Sequence, residues 1–152
     1  MTARGWIAVR WVLVLIVVAG LAIDAYVHLD LASTYDVVNT STMSQGDLFR
    51  VEAALAIVAA VALLVRPRRY TALFAFLVSA GGVAAVLVYR YVDVGKIGPI
   101  PNMYEPYWYG EKTLSLVAEA VAAVAAAVLF VAMQARVRET ARPSAVTTPS
   151  AA

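Results

Sequence analysis

The sequence contains no cysteine and only one histidine, and these two shortages exclude several kinds of site. Without cysteine there is no disulfide framework, no thiolate metal site, no thiol nucleophile and no dithiol redox chemistry. With His28 alone, one chain cannot ligate a haem through two histidines. The sequence also lacks a glycine-rich nucleotide loop and a nucleophile paired with a base, so no feature predicts an enzyme.

Charged residues are also scarce, at 14% of the chain against about 25% in ordinary soluble domains, whereas hydrophobic residues reach 62%. The net charge is only +2 and the basic residues are scattered, which argues against a nucleic-acid partner. The apolar residues gather in four blocks, at 11–29, 48–65, 70–92 and 113–135. Each block approaches the roughly 20 residues that span a bilayer core, and none contains proline. The sequence therefore predicts an all-α bundle of four transmembrane helices in residues 1–138 and a disordered tail in 139–152.

The basic residues predict how the bundle is oriented. If all four blocks span the membrane, eight arginines fall on one side: Arg4, Arg10, Arg66, Arg68, Arg69, Arg136, Arg138 and Arg142. Because basic residues are enriched in cytoplasmic segments, this side and both termini are predicted to be cytoplasmic. The excess of arginine over lysine, with abundant alanine and valine, suggests a bacterial genome and hence the bacterial plasma membrane. The first block is expected to be a retained anchor, since three more spans follow it.

The two connections on the other side are longer and more polar. Residues 30–47 are predicted to end with Ser44 as a helix N-cap and Asp47 at the third helical position. Residues 93–112 contain three prolines and three glycines. Four aromatic residues also lie there: Tyr104, Tyr107, Trp108 and Tyr109. Because such rings favour the headgroup layer, this segment is predicted to lie on the outer membrane surface.

Three carboxylates are predicted to meet at one depth in the outer leaflet. Asp24 and Glu52 each lie fourteen residues from an arginine at the cytoplasmic edge, which is about 21 Å at ~1.5 Å per residue. Glu119 lies seven residues inside Lys112, which puts it at nearly the same depth in a core of ~30 Å. Ionisable groups at such depths are costly and normally face the protein interior.

Helical phase predicts which way these residues point. Glu119 shares a face with Ser115 and with alanines, whereas valines form the opposite stripe, at positions 117, 121, 124 and 128. Small residues mark helix contacts in membranes, so the valine stripe is predicted to face lipid and Glu119 the bundle. The same reasoning predicts that Glu52 faces the bundle interior and that Arg90 lies on the small-residue face of the third span. Arg50 falls where its side chain reaches the headgroups.

Arg90 and His28 are the predicted counter-charges for the acids. Arg90 leans toward them because helical side chains tilt toward their own N-terminus, and His28 follows Asp24 by one turn. Three outcomes stay open. In the first, an ionic cluster stabilises the contacts between the helices, and its members are Asp24, His28, Glu52, Arg90 and Glu119. In the second, one carboxyl group stays protonated and relays protons. In the third, Asp24, His28, Glu52 and Glu119 bind a divalent cation.

Four short blocks carry a resemblance to known proteins: DAYVHL at 24–29, SQGDLFRVE at 44–52, MYEP at 103–106 and EK at 111–112. In these blocks the chain resembles a group of uncharacterised actinobacterial four-helix integral membrane proteins that are loosely DoxX-like in size and layout. The resemblance extends over roughly residues 5–136. It implies a plasma-membrane protein of four helices, and it implies no activity because none is established for that group.

Two hypotheses of function follow from the sequence. The first is a non-enzymatic accessory or interaction subunit, since two exposed loops are available to a membrane-protein partner and small-residue faces favour a homo-oligomer. The alternative is a proton- or cation-dependent membrane function, in transport or as a redox accessory. It would use the outer-leaflet cluster of Asp24, His28, Glu52 and Glu119. Apart from that cation, no cofactor is predicted.

Overall fold

The computed structural model describes residues 2–140, and it is an all-α bundle in that part of the chain. The four helices are α1 (Ala3–Ala32), α2 (Gln45–Val65), α3 (Arg69–Tyr91) and α4 (Gly110–Thr140), with a short 3-10 helix at Thr34–Val37. All four are long and apolar enough to cross a membrane. The predicted all-α fold is thereby confirmed, and its four helices have the length and composition expected of membrane spans. Residues 141–152 of the predicted tail lie outside the described part.

Helices α1 and α4 are longer than the apolar blocks from which they were predicted. α1 has 30 residues and α4 has 31, which at ~1.5 Å per residue exceeds a ~30 Å hydrocarbon core by about 15 Å. The additional turns carry the terminal arginines, because nothing in the sequence breaks the helix where the apolar block ends. Between α2 and α3 the break is abrupt, since Pro67 disfavours a helical conformation at Arg66.

The start of α2 matches the predicted cap. The Ser44 hydroxyl accepts a hydrogen bond from the Asp47 backbone N–H at 2.9 Å, and the Asp47 carboxylate accepts one from the Ser44 N–H at 3.0 Å. Arg50, for which the sequence predicted contact with the headgroups, forms an ion pair within the protein. It donates to both oxygens of Asp36, at 2.8 and 2.7 Å, and this pairing lowers the pKa of the Asp36 carboxyl to about 2. The α1–α2 connection is thereby fixed to the start of α2.

The bundle packs through small residues. α1 packs extensively on α2 and α4, and α4 packs on α3, whereas α2 and α3 touch each other much less. At Gly20, an added Cβ would lie 2.7 Å from the Ala118 carbonyl oxygen, so glycine permits the close approach of α1 to α4. The predicted faces of α4 are confirmed, because Glu119 and Ser115 are buried. The valines of the opposite stripe are 50–66% exposed: Val117, Val121, Val124 and Val128.

Candidate functional site

A cluster of three titratable side chains lies between α1 and α4. Asp24 and His28 come from consecutive turns of α1, and Glu119 comes from α4. Asp24 is 1% exposed and Glu119 is fully buried. Each of the three residues offers a potential ligand atom, and these atoms lie within 4.8 Å of one another. The structure therefore brings together three of the four residues predicted to bind a cation.

His28 is held in place by Asp24 and by an aromatic neighbour. Its Nδ1 lies 2.8 Å from Oδ1 of Asp24 and 3.1 Å from the Asp24 carbonyl oxygen. Because a carbonyl oxygen only accepts, Nδ1 carries the hydrogen in this arrangement and donates it to Asp24. The ring of Phe49 meets the imidazole edge-on, with 5.0 Å between the ring centroids. These contacts fix the orientation of the imidazole beside the two acids.

The two buried carboxylates have too few hydrogen-bond donors. The Ser115 hydroxyl donates to Oδ1 of Asp24 at 2.8 Å and lies farther, at 3.4 Å, from Oε1 of Glu119. Among the described residues, Oδ2 of Asp24 and Oε2 of Glu119 are buried without a hydrogen-bond partner. Buried polar atoms are normally satisfied, so two unpartnered oxygens in one cluster require an explanation.

Gly82 brings the backbone of α3 against the Glu119 carboxyl group. A Cβ at this position would lie 2.6 Å from Cδ of Glu119 and 2.9 Å from its Oε2. A side chain of any size here would therefore displace the carboxyl group. The neighbouring Gly81 has no such contact, because nothing lies within 4 Å of its Cβ position. Of these two adjacent glycines, only Gly82 is required to make room for the Glu119 carboxyl group.

Glu52 stands apart from this three-residue cluster, on the wall of a cavity next to it. The cavity has a volume of about 280 Å³ and lies between all four helices and the α3–α4 loop, with His28 of α1 and Ser115 of α4 on its wall. Glu52 is close enough to Asp24 and His28 to interact with their charges. Its Oε1 is buried without a hydrogen-bond partner in the described part of the chain.

Arg90 does not pair with the acids as predicted. Its guanidinium lies over the rings of Tyr91 and Trp108, 5.0 and 5.3 Å from their centroids. Within residues 2–140, no ion pair joins Arg90 to a carboxylate. The ring of Trp108 belongs to the α3–α4 loop, and it provides a cation–π surface that helical phase alone does not reveal. Among the described ion pairs, His28 is then the partner of the buried acid Asp24, and it carries a positive charge there only when both of its ring nitrogens are protonated.

A second polar group, which the sequence analysis did not single out, closes the loop end of the bundle. It centres on Glu105, whose carboxylate accepts from Tyr35 at 2.6 Å, from Tyr109 at 3.1 Å and from Lys112 at 3.0 Å. The Glu105 backbone N–H also donates to the Tyr89 carbonyl oxygen at 3.0 Å. We call Tyr35, Glu105, Tyr109 and Lys112 the loop latch. In the sequence, the position of Glu105 among aromatic residues was the signal that could have indicated this group. The partners of Glu105 could not be predicted, because they depend on how the loop folds.

The ionisation of the loop latch follows from its contacts. Burial alone would raise the pKa of Glu105, but hydrogen bonds from Tyr35 and Lys112 hold that pKa below its ordinary range. Burial and the hydrogen bond to Glu105 raise the pKa of Tyr35 to about 12. The latch at neutral pH thus consists of an ionised carboxylate that accepts hydrogen bonds from neutral phenols and a lysine.

Carboxylate oxygens with an imidazole nitrogen form a ligand set for hard or borderline divalent cations, and the same groups hold protons. The chemistry available at Asp24, His28 and Glu119 is therefore the binding of a cation or the exchange of a proton. The resemblance to actinobacterial four-helix proteins stays a prediction. Comparison of the chain with protein-family models, with curated proteins and with solved structures finds no match in any of the three.

Proposed function

We propose that this chain is a multi-pass protein of a bacterial plasma membrane that binds a divalent cation at Asp24, His28 and Glu119. A proton shared by the carboxyl groups takes the place of the ion when the ion is absent. The observation that carries this proposal is the pair of buried oxygens without hydrogen-bond partners, Oδ2 of Asp24 and Oε2 of Glu119. A bound cation gives both oxygens a partner.

The charges of the cluster support a divalent ion. Two ionised carboxylates against one imidazolium leave a net negative charge inside the hydrocarbon layer, where an uncompensated ion costs several kcal/mol. With a neutral His28, a divalent cation balances Asp24 and Glu119. Zn²⁺ and Mn²⁺ suit this mixture of one nitrogen and two oxygen ligands.

The orientation follows from the arginines at the opposite end of the bundle from the loop latch. They lie near the start of α1, in the α2–α3 connection and near the end of α4. By the enrichment of basic residues in cytoplasmic segments, that end is cytoplasmic and carries both termini. The cluster then lies in the outer half of the membrane, beneath the loop latch.

Metal analysis of the purified protein tests the proposal. We expect Zn²⁺ or Mn²⁺ to bind in a one-to-one ratio after dialysis and to raise the melting temperature, since an ion that binds only the folded state stabilises it. Glu119→Gln should remove both effects by neutralising one ligand. Glu111→Gln is the matched control, because Glu111 is an exposed acid on the same helix.

Two results would count against the cation. An absence of bound metal together with an unchanged melting temperature would eliminate it. Equal metal binding by the Glu119→Gln and Glu111→Gln proteins would place any ion outside the cluster.

A further inference from the structure

The exposed residues on the wall of the cavity indicate that it opens between two helices, α2 and α3. α2 and α3 form opposite walls of its helical part, and they make the least contact of the neighbouring helix pairs. Val51 on α2 and Ala85 on α3 line the cavity and are both exposed, Val51 to 53%. Because both helices are long and apolar enough to cross a membrane, the gap would face lipid in a bilayer. Molecules would therefore reach the cavity from within the membrane.

The cavity has a largely apolar wall that carries one carboxyl group, Glu52, without an ion-pair partner in the described part of the chain. Aliphatic and aromatic side chains form most of its surface, including Leu48, Phe49 and Val86. Three of its titratable groups already have partners, because Lys112 pairs with Glu105 and His28 pairs with Asp24. Glu52 has no ion pair among the described residues, and its Oε1 is buried without a hydrogen-bond donor.

We infer that this cavity binds a single-chain amphiphile with an ammonium head group, which enters from the lipid between α2 and α3 and pairs with Glu52. The volume of about 280 Å³ is near the lower limit for small-molecule pockets, so it holds the head and the first part of the chain. The remaining methylene groups stay in the gap between the helices, in contact with lipid.

Charge and ring chemistry select the ammonium head over other heads. An ionised Glu52 would repel a carboxylate or phosphate head, and a neutral alcohol could not form an ion pair with it. The rings of Phe49 and Tyr89 lie on the wall and favour a cation over an anion. The inference uses Glu52 and the cavity, and it does not depend on a metal ion at Asp24 and Glu119.

Equilibrium binding of radiolabelled dodecylamine, dodecanol and dodecanoate tests this inference on the full chain in phosphatidylcholine nanodiscs. Empty nanodiscs measure partition into lipid. We expect saturable binding of the amine above that background, at least tenfold tighter than binding of the alcohol or the acid. Glu52→Gln should weaken amine binding by at least tenfold. Asp30→Asn is the matched control, because Asp30 is an exposed acid near the loop end of α1.

Ala85→Trp provides a second variant that leaves Glu52 in place. A large ring at the margin of the gap should obstruct the cavity and weaken amine binding by at least tenfold. Equal binding of the three amphiphiles, or amine binding that survives both Glu52→Gln and Ala85→Trp, would overturn the inference. The metal proposal is separable, since Glu119→Gln should abolish metal binding and spare amine binding, whereas Ala85→Trp should do the reverse.

Discussion

At the residue scale, a single missing methyl group at Gly82 sets how closely α3 approaches the Glu119 carboxyl. The backbone there leaves no room for a Cβ beside the carboxyl carbon. Packed interiors do not absorb added atoms without moving a side chain or the backbone, and such overpacking costs about 1–3 kcal/mol. Because the atoms that would move belong to the proposed ligand Glu119, the geometry of the site and the stability of the bundle are linked at this position.

We predict that Gly82→Ala lowers both stability and metal affinity. The expected destabilisation is about 1–3 kcal/mol, measured by denaturation in detergent micelles. Metal binding should weaken at least tenfold because the carboxyl group is displaced. Gly81→Ala is the matched control, since it adds the same methyl group on the same helix in open space. A Gly82→Ala protein with the properties of Gly81→Ala would contradict this account of the site.

At the element scale, the α3–α4 loop is attached to the bundle mainly through Glu105. The pKa of Glu105 in the folded protein is lowered, so its ionised form contributes stability above the pKa of about 4.3 found for a free glutamate. This contribution is lost as the pH falls through the lower pKa of the folded state. Acid should therefore release the loop before it disturbs the apolar spans.

Quenching of Trp108 by acrylamide, with Trp6 and Trp11 replaced by Phe, measures this release. We predict that quenching rises in one step as the pH falls below about 4.3. Glu105→Gln should show stronger quenching already at neutral pH and no acid step, because the titrating group is gone. Glu111→Gln should keep the step. An identical acid step in the Glu105→Gln protein would assign the transition to another group.

Properties set within one helix could be predicted from the sequence, whereas those that depend on how helices and loops pack together could not. The inward direction of Glu119 is predictable, because a periodicity within one helix fixes which face is buried. The partner of Arg90 is not, because it depends on where Trp108 comes to lie after the loop folds back. Counting residues predicts a depth for Glu52 but not its lateral position. That position depends on how far α2 diverges from α3, which no local pattern encodes.

At the scale of the whole molecule, the bundle has one end rich in arginine and another closed by the loop latch. This asymmetry underlies the proposed orientation, with both termini in the cytoplasm. The hypothesis of an accessory subunit also belongs to this scale. It stays a prediction, since it concerns a partner outside this chain.

Single-cysteine labelling tests the orientation without background, because the natural chain has no cysteine. We predict that a membrane-impermeant maleimide labels Ser41→Cys in intact cells and labels Thr2→Cys only after the membrane is permeabilised. Both positions are exposed, so access depends on the side of the membrane and not on burial. Labelling of Thr2→Cys in intact cells would reverse the proposed orientation.

The cluster joins α1 to α4, the first and last of the described helices, and this has a consequence for biogenesis. Asp24 and His28 are synthesised with α1, whereas Glu119 and Ser115 are synthesised only with α4. The hydrogen bond that the Ser115 hydroxyl donates to Asp24 therefore cannot form before α4 is present. During membrane insertion, Asp24 has His28 alone as a partner from this cluster until α4 has been synthesised. A chain interrupted before α4 would thus keep a buried acid within lipid that lacks the Ser115 hydrogen bond. Such an unsatisfied acid is a feature that quality-control proteases can recognise.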